Sequence, residues 1–547
     1  MGALRDWIKA EAEGIIDRVA DHWPVRVAVA RFSIWKIETA WLTHLSLRAH
    51  FMNIVVASSE VVPFAKTGGL ADVCGALPQQ LSALGHQVSV FLPGYRAVVY
   101  GDFELHEMGI KVEIPLGSKV VEGKLLRTTL PESTVQVYVV AQDEYFDREA
   151  LYGEKGSDYS DNCERFVFFS RSILEAVRKL DLKPDIIHAN DWQTGLIPAL
   201  LKNEYNSNPL YENIASLITI HNLAYQGVFP EDQMALTGLD WKHFNQAEME
   251  YYNQLNLLKT GIVYADAINT VSPTYAKEIQ TAEQGCGLEG VLVERSDCLS
   301  GILNGIDTGV WNPETDKLIP ANFSADNWPQ GKAVCKQHLQ KLFGLEEDAN
   351  KPLIGIVGRL ASQKGWSMIL QVMKQWLDQR DVQWVVLGTG DPDYHTILTN
   401  LYQTHPHKLG LRLGFSNELA HQIEAGSDMF LMPSQYEPCG LNQMYSMAYG
   451  TVPVVRKTGG LADTIIDADD TNDSGVQNVS ANGFVFEDFS TPALENAINR
   501  AVDVYCHDKQ RWRELVAAGM QHDWSWAASA EKYQQLYAQT IAAKRSQ

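Results

Sequence analysis

The sequence of 547 residues lacks the features that mark several classes of protein. Its seven cysteines form no CxxC pair and no zinc-type spacing, and their odd number favours a reducing compartment such as the cytoplasm. No apolar run reaches the roughly 18 residues that a membrane-spanning helix needs. Basic residues are outnumbered, 45 against 67, and the resulting net charge of −22 disfavours nucleic acid and anionic lipid as partners.

Common catalytic and nucleotide-binding motifs are also missing. There is no GxxxxGK[ST] phosphate loop and no GxSxG nucleophile turn, and GTGDPD at 388–393 lacks the third glycine of a dinucleotide fingerprint. Two DxD pairs, Asp391 with Asp393 and Asp467 with Asp469, could bind a divalent metal, as in metal-dependent sugar transferases. Both pairs fit acidic surface loops better, so we expect no metal.

Length and composition indicate two large globular domains with a modest remainder. The apolar fraction of 45% is enough to form a sizeable core. Residues 1–51 carry four tryptophans and helical patterning, and they are interpreted as a helical extension of unknown role. An over-extended start and a docking element stay open for this segment, whereas its acidic residues disfavour an organelle transit peptide.

From Met52 onward, short β-branched runs alternate with helix-length segments, which predicts parallel α/β sheets. The first series of predicted strands is 53–58, 87–92, 135–140, 185–189, 216–220 and 268–271. The second series is 353–358, 382–388, 428–433 and 452–456. The Gly- and Asn-rich segment 301–313 predicts a linker between domains 52–303 and 304–523. We expect 524–547 to form a helix that returns to the first domain.

The heptapeptide KTGGLAD occurs twice, at 66–72 and at 457–463. Each copy lies between an apolar strand and a helix, where paired glycines let backbone N–H groups approach an anion and the helix dipole favours negative charge. Lys66 adds a point charge to the first copy. One copy alone could merely permit a tight turn. One copy in each α/β unit predicts two loops that face a shared cleft.

Other charged residues also follow predicted strands. GRLASQKG at 358–365 places Arg359 and Lys364 at a carboxyl edge of the second sheet, where such a pair suits a diphosphate leaving group. Solvated loop cations are the alternative. Glu437 precedes a predicted helix and could hold sugar hydroxyls or cap that helix. His221 follows a strand, and taken alone it is as compatible with a structural role as with a catalytic one.

Together these motifs resemble the bacterial glycogen synthase and plant starch synthase family. The similar segments are KTGGLADVCGALP, HNLAYQG, ADAINTVSPTYAKEIQT, LNGID, GRLASQKG and PSQYEPCGLNQMYSMAYGTVPVVRKTGGLADT. The resemblance implies an α/β protein of the GT-B fold, with two Rossmann-like, doubly wound domains that face a deep cleft. It also implies a cytoplasmic enzyme that transfers glucose from ADP-glucose to the non-reducing end of an α-1,4-glucan, with retention of configuration and without a cofactor.

The resemblance implies roles for individual residues. Those implied in catalysis are Lys66, Asp191, His221, Arg359, Lys364 and Glu437. Those implied at the ADP-glucose donor are Lys66, Gly68, Gly69, Asn304, Arg359, Lys364, Phe415, Glu437, Cys439, Gly440, Leu441, Thr458, Gly459 and Gly460. Those implied at the glucan acceptor are Asp72, Asp191 and Asn222. Phe415 is implied to pack on adenine.

Three other functions stay open from the sequence. A GT-B transferase that uses UDP-glucose would share the cleft, and a glucan phosphorylase would need pyridoxal phosphate on a lysine. A non-catalytic glucan-binding protein would be expected to lack some of the charged residues. Gln193 departs from the family pattern, which usually has a histidine or a small residue there, and the change could alter acceptor contacts. The oligomeric state is also left open.

Overall fold

The computed structural model describes residues 51–154, 156–470 and 480–546. The predicted extension, 1–51, lies outside this range except for its last residue. From Asn53 onward the described chain forms two large β-sheets with helices packed against them.

The first domain alternates strands and helices. Its strands are β1 (Asn53–Ala57), β2 (Gln87–Pro93), β3 (His106–Leu116), β4 (Lys119–Thr129), β5 (Gln136–Ala141), β6 (Gly153–Glu154), β7 (Ser157–Asp158), β8 (Ile186–Asn190), β9 (Ala215–Ile220), β10 (Val228–Pro230), β11 (Glu250–Tyr251), β12 (Gln254–Asn256), β13 (Ala267–Thr270) and β14 (Leu299–Gly301). Its helices are α1 (Gly69–Ala83), α2 (Arg96–Val99), α3 (Asp143–Phe146), α4 (Asn162–Lys179), α5 (Leu196–Asn203), α6 (Met234–Thr237), α7 (Leu257–Tyr264), α8 (Pro273–Glu278) and α9 (Glu289–Glu294).

The second domain repeats this alternation. Its strands are β15 (Leu353–Val357), β16 (Gln383–Gly388), β17 (Leu409–Leu413), β18 (Met429–Met432), β19 (Val452–Arg456) and β20 (Phe484–Phe486). Its helices are α10 (Trp328–Phe343), α11 (Trp366–Gln379), α12 (Pro392–Thr404), α13 (Asn417–Gly426), α14 (Asn442–Ala448), α15 (Gly459–Thr464), α16 (Thr491–His507) and α17 (Lys509–Gln521), and the chain ends in α18 (Trp526–Arg545). Short 3-10 helices span Trp192–Thr194, Glu231–Gln233, Trp241–His243, Ser296–Cys298 and Ser362–Lys364.

The sheet of the first domain has the order β14-β13-β9-β8-β1-β2-β5-β4-β3. Strands β14 to β5 are parallel, and β4 is antiparallel to both of its neighbours. All six predicted strands of this domain are confirmed. Strand β1 pairs with β2 on one side and with β8 on the other, so the strand order reverses between β1 and β8. A crevice for ligands is expected at the carboxyl ends of β1 and β8.

The second sheet has the order β17-β16-β15-β18-β19-β20, with every pair parallel. Its four predicted strands are confirmed, and its order reverses between β15 and β18. Strands that helices cover on both faces need apolar residues on both sides, which is why these segments are unbroken β-branched and aliphatic runs. In β16, for example, Trp384, Val385 and Val386 are all fully buried.

The last helix, α18, packs on α1 and β9 of the first domain. The Tyr537 hydroxyl lies 2.8 Å from Nδ1 of buried His188, and Asn269 donates a hydrogen bond of 3.0 Å to the Tyr533 hydroxyl. The chain therefore passes between the domains a second time just before α18. The two passages run side by side, since Ile306 N–H donates to the carbonyl of Trp524 at 2.8 Å.

Trp311 anchors the first of these passages to the second domain. Its ring is stacked between His421 and Tyr445, with centroid distances of 3.8 Å on each side. Asp316 accepts hydrogen bonds from His421 Nδ1 at 2.7 Å and from the Tyr449 hydroxyl at 2.6 Å, which fixes one face of the stack. In the part of the chain that the structure describes, no helix combines the length and apolar character needed to cross a membrane.

Candidate active site

The predicted site residues lie at the carboxyl edges of both sheets. In the first domain, Lys66 follows β1, Asp191 follows β8 and His221 follows β9. In the second domain, Arg359 follows β15 and Glu437 follows β18. Both sets flank a point where the strand order reverses, which is where open α/β sheets bind ligands.

The two edges face each other across a cleft. A Cβ atom built at Gly69 in the first domain would lie 4.0 Å from Leu441 Cδ1 in the second. Further along the interface, Thr274 at the start of α8 donates from its backbone N–H and its hydroxyl to Asp463 of α15, at 2.9 and 2.6 Å. Residues of both domains can therefore contact one ligand.

Glu437 and Lys364 form an ion pair at the edge of the second sheet. The Lys364 Nζ to Glu437 Oε2 distance is 2.5 Å, and the Ser434 hydroxyl donates to the same oxygen at 2.8 Å. The Glu437 side chain is 9% exposed and that of Lys364 is 25% exposed, so the pair sits in a sheltered position that still reaches the cleft. Attraction between charges is stronger here than it would be in bulk water.

Arg359 lies beside this pair but is exposed. Its guanidinium donates a hydrogen bond to Gln363 Oε1 at 3.2 Å, and its backbone carbonyl accepts one from Trp366 Nε1 at 3.0 Å. Gln363, which the sequence reasoning missed, also joins the loops after β15 and β18, because its side chain donates to the Tyr436 carbonyl at 2.9 Å. The backbone is thus fixed while the cationic group stays available to a ligand.

Asp191 and His221 form the polar centre of the first domain. The Asp191 carboxylate accepts the backbone N–H of His221 at 2.7 Å and is also bonded by that of Asn222. Burial raises the pKa of Asp191 to about 7, although these N–H groups oppose the shift. Burial lowers the pKa of His221 to about 3, so the imidazole is neutral, and its Nε2 lies 2.9 Å from Asn190 Oδ1.

The first glycine loop is open to the cleft. Lys66, Gly68 and Gly69 are exposed, and a Cβ atom at Gly68 would meet nothing within 4 Å. Lys66 Nζ is paired with Asp72 at 2.6 Å. Buried Glu60, another residue that sequence reasoning missed, accepts the Thr67 hydroxyl at 2.6 Å and the Gly68 N–H at 3.2 Å. Glu60 therefore binds the loop from the protein interior, and the solvent-exposed face of the loop is left for a ligand.

The second glycine loop is used differently. Thr458, Gly459 and Gly460 are buried, and Cβ atoms at the two glycines would collide with the carbonyl oxygens of Glu437 and Cys439. The Gly459 N–H donates to the Glu278 carboxylate at 3.0 Å, and the Gly460 N–H donates to the Glu437 and Pro438 carbonyls at 3.2 and 3.1 Å.

That Thr458, Gly459 and Gly460 contact the donor stays a prediction. In this structure the three residues contact other parts of the protein, and close packing against the Glu437 loop requires both glycines. The lysine of this copy, Lys457, pairs with Glu487 at 2.7 Å and not with a group in the cleft.

The remaining predicted residues have varied surroundings. Asn304 is buried, and among the described residues its Oδ1 has no hydrogen-bond partner. Burial raises the pKa of the Cys439 thiol to about 12, so it is not a thiolate nucleophile, and Gly440 adopts a positive φ of 68° beside Glu437. The Phe415 ring is 90% exposed after β17. Gln193 is buried.

The two DxD pairs have structural partners. Asp391 caps α12 by accepting the Asp393 N–H at 2.9 Å. Arg500 donates to Asp467 at 2.8 Å and to Asp469 at 2.5 Å. Within 51–154, 156–470 and 480–546, no three His, Cys, Asp or Glu residues are grouped as metal ligands usually are.

Comparison with known proteins agrees with this geometry. A family model for the starch synthase catalytic domain matches residues 53–294, and one for glycosyl transferases group 1 matches residues 340–514. The glycogen synthase of Rhodopirellula baltica is 48% identical over 507 residues, which cover 90% of this chain and 99% of that protein. The chain belongs to the glycogen synthase and starch synthase family.

Other members of this glycosyltransferase family are also similar. The glycogen synthase of Syntrophotalea carbinolica is 49% identical over 490 residues, covering 90% of this chain and 99% of its own. The solved catalytic domain of starch synthase IV from Arabidopsis thaliana, bound to ADP and acarbose, has a TM-score of 0.82 at 34% identity and covers 90% of this chain and all of that one. The predicted GT-B fold of the synthase is confirmed.

We predict that the two glycine loops respond oppositely to the same substitution. Gly68→Ala should leave the Tm unchanged, because the new methyl group meets open space. Gly459→Ala should lower the Tm by several degrees, since it adds a clash with the Glu437 carbonyl to the strain of a positive φ, which costs about 1–3 kcal/mol. Thermal unfolding of both variants measures the difference. Equal Tm values would contradict the distinct roles of the loops.

The raised pKa of Asp191 predicts a pH-dependent stability. Its pKa is 3.8 in an ordinary environment and about 7 when folded, so between these values the folded protein binds a proton that the unfolded chain does not. The free energy of unfolding contributed by this group therefore falls as pH rises, and Asp191→Asn removes the effect. The Tm of Asp191→Asn minus that of wild type should increase from about pH 5 to about pH 8. Asp102→Asn, at an exposed aspartate, is the control, and a difference that stays constant with pH would contradict the buried, titrating carboxyl.

Proposed function

We propose that this synthase transfers glucose from ADP-glucose to the 4-hydroxyl at the non-reducing end of an α-1,4-glucan, with retention of configuration and release of ADP. One observation carries the proposal. The Lys364–Glu437 pair and exposed Arg359 stand at one carboxyl edge, opposite the open loop of Gly68 and Gly69 at the other. Cations, a sheltered carboxylate and backbone N–H groups at a helix N-terminus are what a sugar diphosphate needs.

The second domain acts on the leaving group. As the bond between glucose and diphosphate breaks, negative charge grows on the departing oxygen, and Arg359 and Lys364 stabilise it. Because that charge is greatest in the transition state, both residues should contribute more to turnover than to ground-state binding. Glu437 accepts hydrogen bonds from glucose hydroxyls, and Ser434 and Lys364 hold its carboxylate in place for that contact.

The first domain supplies the acceptor side. Attack by the acceptor hydroxyl comes from the face that ADP leaves, and its proton passes to the departing phosphate oxygen. Neutral His221 can contact sugar hydroxyls without a charge of its own, and Asp191 holds the backbone of His221 and Asn222 in place. Lys66 exchanges Asp72 for the donor phosphates when the substrate binds.

The remaining features complete the proposal. Exposed Phe415 packs on the adenine, and the unpartnered Oδ1 of Asn304 accepts a hydrogen bond from the donor. No metal is used, because Arg359, Lys364 and Lys66 provide the positive charge that a cation would otherwise supply. The enzyme acts in the cytoplasm on glycogen or maltooligosaccharides. Relatives named glycogen synthase and the ADP and acarbose bound to the starch synthase IV domain support this choice of substrates.

We predict that Lys364→Ala and Glu437→Ala each lower kcat by about 10²–10³-fold, because each removes a preorganised charged contact to the reacting group. The measurement is glucose transfer to glycogen from ADP-glucose and, at equal concentration, from UDP-glucose, in the presence of EDTA. Wild type should work with ADP-glucose in EDTA.

Lys457→Ala is the control for Lys364→Ala. It also removes a lysine of the second domain, but Lys457 pairs with Glu487 outside the cleft and should be dispensable for activity. Activity with UDP-glucose but not with ADP-glucose would show that the proposed donor is wrong. A requirement for a divalent ion would exclude the metal-free mechanism. If no donor is used, the proposed function fails.

A further inference from the structure

The two heptapeptides are held by carboxylates at corresponding atoms. In each copy a glutamate outside the repeat accepts the threonine hydroxyl and the N–H of the next residue. For the first copy the glutamate is Glu60, which belongs to the same domain as its loop. For the second copy it is Glu278, the last residue of α8, which belongs to the opposite domain. The second loop is therefore bonded across the cleft.

The geometry of this bridge is well defined. Glu278 Oε1 accepts the Thr458 hydroxyl at 3.0 Å, and the Gly459 N–H lies 3.1 and 3.0 Å from its two oxygens. Arg456, two residues before Thr458, adds a favourable charge interaction with the carboxylate. The Thr274 to Asp463 hydrogen bonds join the same two helices, so α8 and α15 are attached at both ends of their contact.

The Glu278 bridge is connected to the loop of Glu437 in the candidate active site. Gly460, next to Gly459, donates its N–H to the Glu437 and Pro438 carbonyls, and neither glycine leaves room for movement against that loop. On the other side, α8 follows β13, which pairs with β9, the strand directly before His221. Strand pairing, the Glu278 side chain and the Gly460 N–H thus form a continuous set of contacts between the segment of His221 in the first domain and that of Glu437 in the second.

We propose that Glu278 is a positioning residue, which holds the Glu437 loop at the distance from the first domain that glucose transfer requires. The inference rests on the proposed function, in which groups of both domains contact one glucose. Glu278 itself touches neither substrate nor the reacting atoms. A displacement of about 1 Å at a distance from the chemistry can cost 10²-fold in rate, so a lost bridge should affect turnover strongly.

The test compares kcat with nucleotide binding for three variants. Glu278→Ala should lower kcat by about 10- to 100-fold, while the Kd for ADP stays near that of wild type because the cations of the second domain remain in place. Glu278→Gln keeps a carbonyl that can accept the Gly459 N–H, so it should recover much of the lost rate. Glu283→Ala, at an exposed glutamate shortly after α8, should behave as wild type.

The outcomes separate the inference from the proposed function. An inactive wild type overturns both. An active wild type with an unchanged kcat in Glu278→Ala overturns only the positioning role. A loss of kcat accompanied by an equal loss of ADP affinity also overturns it, because Glu278 would then merely support the fold of α15. A fall in kcat with unchanged ADP binding and recovery in Glu278→Gln supports it.

Discussion

The carboxyl ends of the parallel strands in the two sheets face each other across the cleft. This arrangement determines where the candidate site residues lie. In each sheet the strand order reverses next to the strand that carries a cationic loop, β1 with Lys66 and β15 with Arg359. Helices cover both faces of each sheet, so the loops at the carboxyl edge are the places left for polar chemistry. The close approach of Gly69 to Leu441 shows how narrow the space between the edges is.

Within this arrangement, the two identical KTGGLAD segments have different surroundings. Gly68 of the first KTGGLAD faces open space, whereas Gly459 and Gly460 of the second are packed against the Glu437 loop. Glycine permits both uses, since the lack of a side chain lets either a ligand or another backbone approach. The carboxylate that binds each loop also differs in its origin, because Glu60 belongs to the domain of its loop and Glu278 binds its loop from across the cleft.

Much of this architecture could be predicted from sequence. The ten predicted strands are present because buried parallel strands are continuous apolar runs, which are easily recognised. The antiparallel pair β3 and β4 was missed because its strands are half-exposed and carry many charged residues. They therefore lack the continuous apolar run that marks the other strands. Strand β20 was missed because three residues are too few to form a pattern.

The site was predicted less completely than the fold. Residues in long motifs, such as Arg359, Lys364 and Glu437, were found because their spacing from a strand is visible in the sequence. Glu60, Gln363 and Glu278 were not found, because each side chain bonds to the backbone of a loop, and such tertiary contacts leave no pattern in the sequence. The burial of Thr458, Gly459 and Gly460 was also hidden, since the surroundings of a loop depend on tertiary packing.

The most direct test of this account is a crystal structure of the protein with ADP bound. We expect the diphosphate to contact Arg359, Lys364 and the N–H group of Gly69, while the Gly459 N–H remains on Glu278. A diphosphate bound to the N–H groups of Gly459 and Gly460, with Glu278 displaced, would contradict the central claim that Glu278 holds the second glycine loop across the cleft.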